Sequence, residues 1–221
     1  MKNLLFVAVI LCATGGIFGQ KEIKVTESNE NIAEGSNNAL SVIIFEADDK
    51  EVEKAWKKLM KDYNAKVSMK KEIFADDATI KDISSNTIDI YAKIEKTKDG
   101  DAKITVAFDL GGAFLSSSQH SSQFKAAKEI MQKFGVDCAK EAIRIQVKEA
   151  EKVLEKMEGE KQDLVKENEN LNNKIAGWEK DIEKAKEDIK TNEKNQEDKT
   201  KEIEGQKSTI ETIKEKEKQI K

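Results

Sequence analysis

Leu154-Glu155-Lys156-Met157-Glu158-Gly159-Glu160-Lys161-Gln162-Asp163-Leu164-Val165-Lys166-Glu167-Asn168-Glu169-Asn170-Leu171 steps by three and four residues between Leu154, Met157, Lys161, Leu164, Asn168 and Leu171. The same beat runs from Ile143 to Ile220 without a slip. With Leu154 at heptad position a, the seam is carried by Leu154, Met157, Leu164, Asn168, Leu171, Ile175, Trp178, Ile182, Ile189, Ile203, Ile210 and Ile213. An apolar repeat this regular, in a segment otherwise made of Lys, Glu, Asp and Asn, is the pattern of a coiled coil. The chain has no proline. Gly159, Gly177 and Gly205 fall at c or f positions, where they weaken the helix and leave the seam intact. As one helix, Ile143 to Ile220 would extend about 115 Å at 1.5 Å per residue. An exposed Ile/Leu stripe of that length calls for a partner.

Ile at a, Leu164 and Leu171 at d, and a single a-position Asn168 fit a parallel dimer, in which the Asn pair sets register at some cost in stability. Flanking pairs agree in part. Lys174–Glu179, Asp181–Lys186 and Glu202–Lys207 attract across the seam, whereas Asp188–Glu193 and Lys216–Lys221 repel. Asn192, Gln196 and Lys199 occupy successive core positions, so the seam fails there. Residues 191–198 are then a soft spot in one rod, the tip of an intrachain helical hairpin that returns 200–220 onto 165–190, or the start of a disordered tail. Heptad phase is kept on both sides of the gap, which favours the continuous rod.

Upstream, Lys21 to about Leu115 is an alternating strand and helix pattern. Ile23-Lys24-Val25 is a possible opening strand, and Gly35-Ser36-Asn37-Asn38 the expected bend. Ala39 to Phe45 is apolar on both faces and suits an interior strand. Asp48 and Glu51 form a capping box for a helix to about Tyr63, whose stripe is Val52, Ala55, Trp56, Leu59, Met60 and Tyr63. Trp56, at the centre of that stripe, is read as core rather than as a ligand platform. Strands are expected at Val67–Met69, Ile73–Ala75 and Ala78–Ile83. A hairpin follows: Ile88, Ile90, Ala92 and Ile94 alternate, Lys98-Asp99-Gly100-Asp101 turns, and Ala102, Ile104, Val106, Phe108 and Leu110 alternate on return. Its other face, with Lys93, Glu95, Lys103 and Thr105, should be wet. Ala113-Phe114-Leu115 either tucks under the next helix or forms a contact surface or mobile lid.

A second helix is expected from about Ser122, with Phe124, Ala127, Ile130, Met131 and Phe134 inward. Phe134-Gly135-Val136 suits a helix end with Gly just past it, though a helix running through is the alternative, since one Gly costs only about 1 kcal/mol. The fold class expected is α+β: a small two-layer domain of an antiparallel sheet and two helices, followed by a long coiled-coil helix. In topology alone the element order resembles the small two-layer domains of TATA-binding-protein shape. The expected division is 1–19 signal peptide, 20–136 globular domain and 137–221 coiled coil.

Met1-Lys2-Asn3, the apolar Leu4–Leu11 and the small-residue run to Gly19 have the layout of a secretory signal, too short to span a bilayer. Periplasmic or extracellular localisation is expected, with no transmembrane segment after cleavage. A lipoprotein anchor at Cys12 is the lesser reading, because Leu11 stands where a small residue is needed. Removing residues 1–19 takes away Lys2, so 39 Lys+Arg become 38 against 43 Asp+Glu, a net of −5. Mixed charge of this kind argues against a nucleic-acid partner. Cys138 is then alone, either buried on its helix or available to bridge two chains.

No chemistry converges. His120 is the single histidine, set in a serine-rich loop without the turn or placed carboxylate that a hydrolase needs. Asp48-Asp49, Asp76-Asp77 and Asp99-Gly100-Asp101 do not keep calcium-loop spacing, and Gly111-Gly112 lacks a phosphate-loop pattern. No catalytic, cofactor or metal residue is therefore expected. The leading functional expectation is a non-enzymatic, exported interaction or scaffold protein. Its globular domain is carried on a coiled-coil stalk that self-associates through 143–220 and serves an envelope protein partner. The alternatives are a small-ligand or lipid-binding domain with a cavity behind Phe45, Trp56, Phe108 and Phe124, and a hydrolase using His120.

Overall fold

The computed structural model describes residues 22–218, so the expected signal peptide and Ile220 lie outside the described residues. Six strands and two helices follow in the order β1 (Val25–Ile32), β2 (Gly35–Ile44), α1 (Asp49–Asp62), β3 (Lys66–Met69), β4 (Ile73–Ala78), β5 (Ile88–Lys96), β6 (Ala102–Asp109) and α2 (Ser121–Lys218). The strands form one sheet in the order β1-β2-β6-β5-β4-β3, antiparallel throughout. Helix α1 carries the chain from β2 to the far edge, and the β3-to-β6 meander brings it back beside β2. This is a small α+β domain followed by one long helix. Internal contacts divide the chain into two units, Met1–Ala150 and Glu151–Lys221.

The core lies on the helix-covered face of the sheet. Leu40, Val42 and Ile44 of β2, Ile88, Ile90 and Ala92 of β5, and Ile104, Val106 and Phe108 of β6 point into it at the strand period of two. Asp48 caps α1, its side chain accepting from the Lys50 N–H at 3.0 Å, and Val52, Trp56 and Met60 are buried at helical spacing. Trp56 is 0% exposed, and its indole meets Phe134 of α2 edge-on at 5.0 Å. Ala127, Met131 and Phe134 bring the first turns of α2 into the same core.

Gly135 does not end the helix, which passes through it unbroken. A Cβ there would lie 2.8 Å from Val42 Cγ1 and 2.9 Å from Ile23 Cγ2, so glycine is what lets α2 approach the sheet. Gly135→Ala is expected to destabilise the domain by about 1–2 kcal/mol. Overpacking against two stiff β-branched side chains costs about 1–3 kcal/mol, and the helix recovers only about 0.5–1. The measurement is a lower urea midpoint at unchanged slope.

Four details differ from the sequence expectation. The first strand is Val25–Ile32, and the bend is the two-residue turn Ala33-Glu34, with φ of 55° and 60°. Gly35 to Asn38, the expected bend, are the opening of β2. Thr26, Ser28 and Glu30 are polar because β1 is an edge strand, and polarity there does not preclude pairing. Asn37 Nδ2 donates to the Ile32 carbonyl at 2.7 Å, and Glu72 Oε1 accepts from the Ala33 N–H at 3.0 Å, holding the turn without Gly or Asn at its centre.

Second, β4 runs through Asp76 to Ala78 with a bulge, Asp77 taking φ 58°. The expected strand Ala78–Ile83 is thus a strand only at its first residue, and the loop beyond buries Ile80 and Ile83. Third, the supposed wet face is partly covered. Thr105 is buried and hydrogen-bonded to Ser41 at 2.9 Å, and Ile32, Ala39 and Ala107 form a second small cluster with Tyr91 and Phe114. The β1-β2 hairpin tip reaches this face, where Lys93 Nζ donates to the Asn31 carbonyl. Fourth, Ala113-Phe114-Leu115 is split between the two clusters, Leu115 in the main core and Phe114 against Tyr91.

Candidate interaction surface on the long helix

Helix α2 presents different faces in its two parts. From Phe124 to Ala142 the residues packed into the domain include Phe124, Ala127, Met131, Phe134, Cys138 and Ala142, spaced three and four apart. Beyond Ala142 every described residue of the helix is exposed. The seam residues Leu154, Met157, Leu164, Leu171, Ile175, Trp178, Ile182, Ile189, Ile203, Ile210 and Ile213 are 42 to 61% exposed, and Asn168 lies exposed among them. Side chains that are half bare on both sides of the polar gap at 192–199 form an apolar surface of the kind partners cover.

The helix holds through residues 191–198 without a bend, so the intrachain hairpin does not form. The polar side chains of this stretch bond within the helix. Gln196 Nε2 donates to Asn192 Oδ1 at 2.6 Å, and Thr191 and Thr200 donate to the carbonyls of Glu187 and Gln196 at 3.0 and 2.8 Å. Polar residues that could have competed with the backbone are instead satisfied inside the helix. Ion pairs three or four residues apart recur along it, among them Lys156–Glu160, Lys186–Glu183 and Lys199–Glu202. Each is exposed and individually weak. Their joint effect is a helix that stays soluble everywhere except along the seam.

Among the described residues, the remaining reactive side chains do not gather into a metal-binding group. His120 lies in the turn that leads into α2. Its Nδ1 accepts from the Ser116 N–H at 3.4 Å, and its own N–H donates to the Ser116 carbonyl at 3.0 Å. The nearby carboxylate, Glu27, is committed to the loop: Oε1 accepts from the Ser117 N–H at 2.9 Å and from Asn38 Nδ2 at 2.8 Å. Burial alone would raise the Glu27 pKa, but the hydrogen bonds from Ser117 and Asn38 hold it below the usual carboxylate value. Asp48 is a helix cap, Asp76 and Asp77 sit in the β4 bulge, and Asp101 Oδ1 accepts from the Glu46 N–H at 2.9 Å beside the β5-β6 turn. Among the described residues, no three His, Cys, Asp or Glu side chains gather as a metal site requires. No described helix is long and apolar enough to cross a membrane.

Trp56 and Phe108 are buried in the core, while Phe45 and Phe124 are half-buried at its margin. An open groove of about 890 Å³ lies instead outside them. There α1 residues such as Lys50, Lys54 and Lys57 face Cys138, Ala142 and Ile145 of α2. Burial, reinforced by the adjacent Asp137, pushes the Cys138 thiol up to about 12. Because the thiolate is the reactive species, the native protein near pH 8 is expected to react with a thiol reagent roughly a thousandfold more slowly than the denatured chain. Comparable rates in the two states would remove that assignment.

Periodicity alone pointed to the seam. Of the two readings of Gly135, a helix end or a helix running through, the structure shows the second. Compared with known proteins, the chain matches no family model, no curated protein and no solved structure.

Proposed function

We propose that this chain is a non-enzymatic, exported interaction or scaffold protein, in which α2 pairs with the α2 of a second copy and the sheet domain is the cargo-binding part. The observation that carries the reading is the apolar seam, kept in phase on both sides of its polar gap at 192–199 and half bare in the single chain, on a helix whose other faces are saturated with charge. In a parallel pair the a and d side chains would interdigitate, Asn168 would face its own copy, and the charged faces would remain in water. The mechanism is mechanical: pairing turns a flexible extension into a stiff spacer that holds two sheet domains together, raising their effective concentration for a common envelope partner. An exported location rests on the signal-like residues 1–19.

A second reading has its own support. The ladder of pairs three and four residues apart can stabilise a helix that stands alone, without a partner. Such a helix gains nothing from an apolar beat, whereas a paired one requires it. Sedimentation equilibrium of residues 20–221 across a hundredfold range of concentration separates the two. A mass twice that of the chain supports pairing, and a single-chain mass at every concentration removes it.

A further inference from the structure

The sheet-facing stripe of α2 and the first seam residues, Ile143 and Val147, point in opposite directions, and this fixes where a second copy can start. At 3.6 residues per turn, Ala127, Met131, Phe134 and Cys138 fall within about 40° of the direction of Ile145, whereas Ile143 and Val147 point about 160° away from it. Burial agrees with the geometry: Ala127 and Met131 are 0% exposed, while Ile143 and Val147 are 45 and 50% exposed. All these residues belong to the unit that contains the sheet, so the divergence is a property of that unit alone.

We infer that the second copy docks on the side of α2 turned away from its own sheet, in parallel and starting at Ile143, so that each sheet lies outside the pair and the two Cys138 thiols cannot meet. This rests on the self-association proposed above and adds the face of the helix used at Ile143 and the placement of the two thiols. Exposure sets the starting point. One heptad before Ile143 and Val147 the same columns hold Val136, packed against the domain's own core, and Lys140. Ile143 and Val147 are therefore the first apolar pair of this face left exposed. Direction follows from the single a-position Asn168, which faces itself only when the helices are parallel and in register. Cys138 lies on the outer side of each helix. With axes 8–10 Å apart and helices 10–12 Å across, the thiols would be separated by roughly 20 Å, far beyond the reach of a disulfide.

Cysteine cross-linking of residues 20–221 tests this. In a Cys138→Ser background, Ile143→Cys and Ile145→Cys are oxidised with copper phenanthroline and compared with unmodified protein that keeps Cys138. All are held at a concentration where sedimentation gives the mass of a pair. Both substituted side chains are exposed in the single chain, so neither substitution threatens the fold. The Ile143→Cys protein is expected to form covalent dimer at least tenfold faster than either the Ile145→Cys or the unmodified protein. A dimeric mass with rapid bridging through position 145 or Cys138 would place the partner on the wrong face. A dimeric mass with no bridging at position 143, but bridging between an Ile143→Cys and a Glu217→Cys chain, would overturn the parallel direction. A monomeric mass would instead remove the self-association on which the inference rests.

Discussion

Replacing Trp56 with alanine is expected to cost the sheet domain roughly 3–5 kcal/mol, as removal of a fully buried large aromatic does. A domain of ordinary stability has about 5–15 kcal/mol to lose, so the variant should melt roughly 10–25 °C lower or be unfolded outright. The magnitude follows from position: Trp56 lies at the centre of the α1 stripe, is 0% exposed, and meets Phe134 edge-on at 5.0 Å, joining α1, α2 and the sheet. Trp56→Phe supplies the control. The indole Nε1 is buried without a hydrogen-bond partner, so phenylalanine loses area but also removes an unsatisfied donor. Its loss should be less than half that of the alanine variant. Scanning calorimetry is the suitable measurement, because the dichroism of the 98-residue α2 would mask the domain transition. A Trp56→Ala protein with an unchanged calorimetric transition would mean that Trp56 is not the centre of the core.

The parts of this fold that were legible in the sequence are those whose signals are local. The β5-β6 hairpin shows itself as alternating Ile88, Ile90 and Ala92 and Ala102, Ile104 and Val106 around a Gly100 turn, and the Asp48 cap announces α1. The β1-β2 hairpin was misplaced because Ala33 and Glu34 hold positive φ without the Asn or Gly that marks such a turn, their support coming from the distant Glu72. Gly135 was ambiguous for the same reason. A glycine past a helix end and a glycine at a close crossing look alike until Val42 and Ile23, about a hundred residues upstream, are brought against it. The apolar stripe of α2 is the opposite case: its residues are named from spacing alone, and the structure shows them exposed on one helix. What covers it is a property of a second molecule, and the spacing of one chain specifies it only through the chemistry of pairing.

The double substitution Leu171→Asp with Ile175→Asp is expected to abolish self-association while leaving the sheet domain intact. Full burial of a Leu or Ile side chain contributes about 1.5–3 kcal/mol, and Leu171 and Ile175 start half exposed, so four such side chains in a pair contribute about 3–6 kcal/mol. At 1.4 kcal/mol per tenfold, affinity should fall at least a hundredfold, before counting the cost of placing like charges face to face in a dry seam. The variant should sediment as a single chain, and its helical dichroism should fall, because an apolar stripe without a partner no longer holds the far end of α2 in place. The sheet-facing residues Ala127, Met131 and Phe134 are untouched, so the calorimetric transition of the domain should stay where it is. Salt sharpens the test. At 1 M the screening length is about 3 Å, which weakens exposed ion pairs such as Lys186–Glu183 and spares an apolar seam. A parent chain that keeps its helix at high salt, beside a variant that loses it, is what pairing through the seam requires. If the parent were instead monomeric and its helix melted in salt, the ion-pair ladder would be the whole basis of α2. Leu171 and Ile175 would then have no role that their spacing explains.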